Sequence, residues 1–342
     1  MQKIPVTIIT GFLGAGKTTL LQYMLQHNQK RRLALIINEF GKTGIDGELI
    51  QACQNNLCTT DDIIELANGC ICCTVADDFI PTINQLLSRS TRPDHIIIET
   101  SGLALPKPLV AAFNWPEIRT CLTVDGVITV VDGVAALDPT LATIPTLKSI
   151  DSQKIIQHDN PIHELFRDQI ACADLIILNK TDLLNNNQIN RVQKLLDQHR
   201  RSQAKIITAR FGQVPSDILL GIGAHAESNI NQRLSHHDQH PEEDHGHAEF
   251  KSFSLKIPKI DCLERYIENL YKVLDQPGVL RLKGFSAVKG KTMRLIVQGV
   301  GGRLQHYYDR PLLPEEDKDQ GVLVVIGDKS LEEHHIHRYI SF

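Results

Sequence analysis

"IPVTIITGFLGAGKTTL", residues 4–20, sets a short β-branched apolar run directly before three glycines, a lysine and two threonines. The run predicts a strand buried on both faces. Gly11–Thr18 fits G-x-x-x-x-G-K-[ST], and a helix is predicted from Thr18 to His27. A strand, a glycine-rich loop and a helix, in that order, form the context in which this pattern cradles phosphates. Gly14 and Gly16 let backbone N–H groups approach phosphate oxygens, and the helix N-terminus adds its positive end. Lys17 should reach the β- and γ-phosphates, and the Thr18 hydroxyl should ligate Mg2+. The nucleotide-binding set read here is Gly11, Gly14, Ala15, Gly16, Lys17, Thr18 and Thr19.

Further apolar runs, "LALIIN", "HIIIET", "GVITVVD", "DLIILN" and "KIITA", alternate with helical patterns at 76–88 and 188–200. Pro81 should kink or restart the first of those helices. The alternation predicts an α/β fold with a mainly parallel sheet and right-handed crossovers over residues 1–225. Residues 226–249 are read as a flexible linker. Within it "SHHDQHPEEDHGHAE" has no aliphatic side chain larger than alanine and holds five of the fifteen histidines. Such a stretch cannot bury enough surface to offset its ordering entropy. Residues 250–342 then read as a smaller α+β domain, with helices at 261–274 and 330–340.

The base follows from "ILNKTD". A carboxylate at Asp182 can accept the ring and exocyclic amino protons of guanine, a donor pair adenine lacks. Asn179 should tie the loop together, and the aliphatic stem of Lys180 should lie along the purine. Alone, N-K-x-D is a weak signal; downstream of a phosphate loop it favours GTP over ATP. Ala209, at the end of the next strand, is expected to offer its N–H to the guanine oxygen. Glu99 closes "HIIIE" at the strand end that faces the γ-phosphate. It could hold the metal-bound water or orient the attacking one, which makes Lys17 and Glu99 the catalytic candidates. Asp46, in "NEFGKTGIDGELI", is a second candidate for Mg2+ or the γ-phosphate; a plain turn aspartate is the alternative.

"NGCICCT", residues 68–74, brings Cys70, Cys72 and Cys73 together. Thr74 and Asp77 form a pattern that can cap a helix, placing the thiols at its N-terminus, where thiolates are favoured. Three thiolates and an exchangeable position make an open tetrahedral site. Glu39 could add an oxygen ligand. A redox pair and inert buried thiols are the alternatives. Ligand softness admits Co2+, Zn2+ or Cu+, and cobalt lies below zinc in the Irving–Williams order. Cobalt would therefore be selected by geometry, nucleotide state or supply. The scattered Cys53, Cys58, Cys121, Cys172 and Cys262 read as small buried hydrophobes. Histidines 236, 237, 240, 245 and 247 could collect metal weakly, whereas His334, His335 and His337 read as surface residues.

A net charge of −4 over 342 residues gives no global field favouring nucleic acid or anionic lipid. The N-terminus lacks a signal-peptide pattern and no run reaches membrane-span length, so a cytoplasmic location is expected.

With the phosphate loop, E-x-x-G at Glu99, N-K-x-D and "GCICC" together, the chain resembles the P-loop GTPases of metal-centre assembly, and within them the CobW branch. That resemblance runs over nearly the whole length, "ETSGLALPKPLVAAFNWPEIR", the histidine-rich linker and the C-terminal domain included. It implies a GTP-hydrolysing metallochaperone that passes Co2+ or Zn2+ to a client metalloenzyme. Cobaltochelatase, in cobalamin biosynthesis, is the client implied for cobalt. The rivals are a GTP-liganded metal sensor or buffer, and a P-loop kinase.

Overall fold

The structure, a computed structural model, describes residues 3–28, 31–38, 62–66, 79–89, 91–137, 161–233, 250–276, 278–300, 303–312, 320–328 and 331–340. The chain divides into two compact units, with described residues up to 233 in the first and from 250 in the second.

The first unit runs β1 (Ile4–Thr10), α1 (Lys17–His27), β2 (Leu33–Asn38), β3 (Ile63–Leu66), α2 (Ile80–Leu87), β4 (His95–Glu99), α3 (Pro106–Ala112), β5 (Leu122–Asp132), α4 (Pro161–Cys172), β6 (Leu175–Asn179), α5 (Asn186–His199), β7 (Lys205–Thr208) and α6 (Ser216–Leu219). Its seven strands order as β3-β2-β4-β1-β5-β6-β7, and the pairings are parallel. Alternate residues of a strand leave on opposite faces. Thus Ile8, Ile36, Ile96 and Ile98 pack with Phe79, Ile83 and Phe113, while Ile9, Leu35, Ile37 and Ile97 pack with Leu20, Leu21, Met24 and Leu25 of α1. Both faces are covered, which is why the strands read as continuous apolar runs. Each fully buried side chain of this size contributes roughly 1.5–3 kcal/mol over its exposed form.

The phosphate-loop helix begins at Lys17, one residue before the predicted start. α2 begins at Ile80 with Pro81 in its first turn, where a missing N–H costs nothing. Residues 76–78 lie outside the described part. Four elements of this unit escaped the sequence reading: β3, α3, α4 and the four-residue α6. β3 is only four residues long, and α3 is seven residues with prolines at 106 and 108, so neither sustains a period.

The linker expectation needs one correction. Residues 226–233, assigned to it, are folded onto the first unit. The Glu227 carboxylate accepts from Thr123 Oγ1 at 2.6 Å and from Val124 N at 2.9 Å. Arg233, fully buried, donates from Nη2 to Asp174 Oδ1 at 2.7 Å, from Nε to Asn229 Oδ1 at 2.9 Å, and from Nη1 to the Cys172 carbonyl. A histidine-rich composition begins only after this anchor, and residues 234–249 lie outside the described part.

The second unit runs β8 (Phe250–Pro258), α7 (Leu263–Leu274), β9 (Val279–Ser286), β10 (Met293–Val300), β11 (Arg303–Pro311), β12 (Gln320–Asp328) and α8 (Glu333–Ile340). Its sheet is antiparallel in the order β11-β10-β9-β12-β8. Tyr266, Leu270, Val273 and Leu274 of α7, at helical spacing, join Leu255, Leu282, Leu295, Leu323 and Ile336 in its core.

Candidate functional site

In a parallel sheet the loops at the strands' carboxyl ends are brought together, and here those loops carry the sequence motifs. Gly11 leaves β1 with φ 131, and a Cβ there would stand 2.1 Å from the Val130 carbonyl oxygen. Gly14 and Gly16 also have positive φ, 72 and 103. Gly16 is the N-cap of α1, with no side-chain cap and no acidic residue in the first turn. The helix start therefore keeps its N–H groups for an anion. Lys17, 5% exposed, donates from Nζ to the carbonyls of Gly11 at 2.8 Å and Phe12 at 3.4 Å, which holds the ammonium inside the loop. Ala15 is buried, Thr18 half-buried and Thr19 exposed.

Asn179 is the hub of the base end. Its Nδ2 donates to the Ala15 carbonyl at 3.0 Å, and its Oδ1 accepts from Gly212 N at 3.0 Å. One side chain thus fastens the phosphate loop to the loop after β7. Gly16 has no Cβ for the same reason: one would lie 2.4 Å from Asn179 Nδ2. Lys180, in the left-handed region at φ 61, reaches the Gly14 carbonyl and Asp132 Oδ2, both at 2.8 Å. Asp182 is exposed in the short 3-10 turn that follows. A capping box between Asn185 and Gln188 then starts α5, fixing where that turn ends.

Ala209 brings a correction. Its N–H, expected to meet the guanine oxygen, donates to the Leu178 carbonyl at 2.8 Å and extends the ladder of β6 and β7. The Ala209 carbonyl meanwhile accepts from Thr181 N at 3.2 Å and Thr181 Oγ1 at 2.9 Å. The residue pins the turn after β6 to the end of β7.

Glu99 ends β4 beside Ile9, and its side chain is 5% exposed. Gly102, three residues on, presses against the phosphate loop: a Cβ there would lie 2.7 Å from Leu13 N. Gln169 of α4 supports this turn, donating to the carbonyls of Gly102 and Ala104 at 3.2 Å each.

Asp132 was missed by the sequence reading. It closes β5 and is buried; Oδ1 accepts from Val134 N at 2.9 Å and Ala135 N at 3.1 Å, while Oδ2 holds Lys180. The signal was present in "VVDG", an aspartate ending a buried strand before a glycine.

Cys70, Cys72, Cys73, Asp46 and Glu39 lie outside the described residues, as do Thr74, Asp77, Cys53, Cys58 and the linker histidines. Among the other cysteines, Cys172 is buried, and burial pushes its thiol up to about 11. Cys121 is half-buried. Cys262, expected to be buried, is exposed, with Sγ 3.4 Å from Glu264 Oε2. Among the described residues, Glu332, His334 and His335 are grouped within ligand reach of one another, and all three are exposed.

The parallel sheet, the glycine loop at the carboxyl end of β1 and the buried lysine at the start of α1 define a P-loop nucleotide-binding protein. The chain belongs to the CobW family: the CobW/HypB/UreG nucleotide-binding domain matches residues 5–208, and the cobalamin synthesis protein cobW C-terminal domain matches residues 252–340. It is 49% identical over 338 residues to the zinc chaperone CobW of Sinorhizobium sp, covering 97% of this chain and 94% of that one. A zinc chaperone CobW from Pseudomonas aeruginosa is 47% identical over 335 residues, covering 96% and 88%. The zinc chaperone YjiA of Escherichia coli is 28% identical over 348 residues, covering 97% and 96%. Among the described residues no helix is long and apolar enough to cross a membrane.

Proposed function

We propose that this chain is a GTP-hydrolysing metallochaperone in which nucleotide state controls a thiolate metal site at Cys70, Cys72 and Cys73. One observation carries the nucleotide half of the reading: Asn179 joins the phosphate loop to the base-end loop through two 3.0 Å bonds, leaving Asp182 exposed beside them. That carboxylate argues against a kinase, a reading that ATP preference in a nucleotide panel would revive. Lys17 carries the charge that neutralises β- and γ-oxygens. Thr18, half-buried in the first turn of α1, would hold Mg2+ through its hydroxyl, with Asp46 as its proposed companion. When bound, Mg2+ would supply charge neutralisation to the triphosphate. Glu99, at the end of β4, orients the attacking water.

The cargo is a divalent metal. The zinc chaperones at 49% and 47% identity support Zn2+. Co2+, passed to a cobaltochelatase-type client, is the second reading, favoured by the match of residues 252–340 to the cobalamin synthesis protein cobW C-terminal domain. We place the domain limits at the end of the 226–233 anchor and near residue 250, with the histidine-rich stretch between them.

Unaided turnover is expected to be slow, on the order of 10⁻⁴ s⁻¹, as in GTPases without an arginine finger supplied in cis. Phosphate release from GTP by the purified full chain, compared with Lys17→Ala, tests this. Slow turnover abolished by the substitution supports the reading; many turnovers per second without client or metal would contradict it.

A further inference from the structure

Large apolar side chains left in water point to a partner when they gather at one place. Five stand exposed among the described residues, and two of them, Leu183 at 59% and Phe211 at 64%, lie on the two loops of the base end. Phe211 is unusual twice over. Its φ is 54, the left-handed region that a bulky aromatic residue rarely adopts. Its loop is fixed at Ala209, two residues before it, and at Gly212, directly after it. Ala209 O accepts two bonds from Thr181, and Gly212 N donates to Asn179 Oδ1 at 3.0 Å. Gly212 also lies so close to α1 that a Cβ would stand 2.8 Å from Leu20 N and 3.1 Å from the Thr19 carbonyl carbon. The fold thus holds a strained phenylalanine in water, between a glycine packed on α1 and an alanine whose carbonyl holds Thr181, the residue before Asp182. Packing of the first unit gains little from a ring that is 64% exposed.

We propose that Phe211 stacks on the face of the base whose edge Asp182 reads. The inference rests on the nucleotide reading above and adds a division of labour to it. Every purine has a π-face, so the ring sets affinity, while the carboxylate sets identity.

The test uses the full chain with Mg2+ and three probes: GTP, GDP and inorganic tripolyphosphate, which has no base. Phe211→Gly removes the ring and suits a positive φ, so the variant should fold at least as stably as the parent. It should bind GTP and GDP roughly 5- to 150-fold more weakly, the range for base–aromatic stacking, and bind tripolyphosphate as the parent does. Phe211→Trp should stay within about threefold of the parent for GDP, on the stacking range above. Its emission beyond that of Trp115 should be quenched by GDP and not by tripolyphosphate. Unchanged GDP binding by Phe211→Gly would overturn the proposal; so would equal weakening of GDP and tripolyphosphate, which would mark a loop support. A nucleotide panel on the parent separates the two claims. Preference for ATP refutes the guanine reading whatever Phe211 does, whereas guanine preference with an unaffected Phe211→Gly refutes the stack alone.

Discussion

At the scale of single residues, the nucleotide site is read through bonds that admit one residue type. Gly16 must lack a Cβ because Asn179 Nδ2 occupies the place at 2.4 Å. Gly16→Ala should therefore break the tie between Asn179 and Ala15 and weaken GDP binding by at least about tenfold, or ~1.4 kcal/mol; calorimetric titration measures it, and parent-like affinity would mean that the tie is dispensable. Asp182→Asn should remove the preference for GTP over ATP while leaving tripolyphosphate binding at Lys17 intact, and a competition assay reads the ratio directly. Gly11, Gly16, Lys17 and Asn179, which the structure brings together at one end of the sheet, were legible in the sequence because they stand in motifs of fixed spacing; the role of Asp182 is what the competition assay tests. Ala209 was misread for a register reason. Whether an amide at a strand end faces ligand or ladder depends on the pairing of β6 with β7, which the letters do not carry. Phe211 was invisible because only its exposure and its φ mark it.

At the scale of elements, two polar anchors hold the first unit beyond its apolar packing. The carboxylate of Asp125 accepts from the amides of Gly221, Ile222 and Gly223 at 2.7, 3.1 and 2.9 Å, fixing the chain after α6. Beside it, fully buried His95 meets Thr7 Oγ1 through Nε2 at 2.8 Å, and Thr7 donates in turn to Asp125 at 3.4 Å. Burial pushes His95 down from 6.5 to about 4, against the pull of Asp125, with Arg31 adding to the fall. His95 is therefore neutral at pH 7, and its 4.0 Å approach to Asp125 is not an ion pair there. The sign follows: below pH 6.5 the unfolded chain takes up a proton that the folded chain refuses until about pH 4. Stability is intact above that window and falls across it, by roughly 3 kcal/mol if 1.36 kcal/mol is counted per pH unit. His95→Gln should flatten this slope in denaturant titrations of the first unit between pH 7 and 4; an unchanged slope would assign it to other groups. The second anchor is Arg233 on Asp174. Arg233→Ala removes a fully buried guanidinium from three partners, while Asp174 keeps Arg201 at 2.8 Å and the Val127 amide at 2.9 Å, so its cost should be about 1–3 kcal/mol. A loss below ~1 kcal/mol, the range of an exposed pair, would mean that residues 226–233 behave as the linker their composition suggested.

At the scale of the molecule, a mainly parallel α/β unit followed by a smaller α+β one was legible from periodicity; that the second sheet is antiparallel is the structure's addition. The strands of 250–258, 279–286, 293–300, 303–311 and 320–328 fall on the strand-like runs "FKSFSLKI", "VLRLKGFSAV", "TMRLIVQGV", "RLQHYY" and "GVLVVIG". The boundary was not, because Glu227 and Arg233 are polar letters whose burial depends on Thr123, Val124 and Asp174, each more than fifty residues away in sequence. The thiols occupy the stretch between "NEFGKTGIDGELI" and Glu99, so the chain that would sense the γ-phosphate also carries the metal ligands. Cys72→Ala and Cys73→Ala should each abolish tight metal binding and spare GTP binding; a melted first unit, with or without metal, would make the thiols structural. The central claim is coupling between the two sites. The direct measurement is titration of the full chain with Co2+, followed by the thiolate-to-cobalt charge-transfer band, first with GTP and Mg2+ and then with GDP. Competition by Zn2+ in each state extends the same readout to zinc. The account predicts that GTP tightens metal binding roughly 5- to 150-fold over GDP, with metal tightening GTP by the same factor. Equal metal affinity in both nucleotide states would contradict it, since hydrolysis would then have no means of driving release.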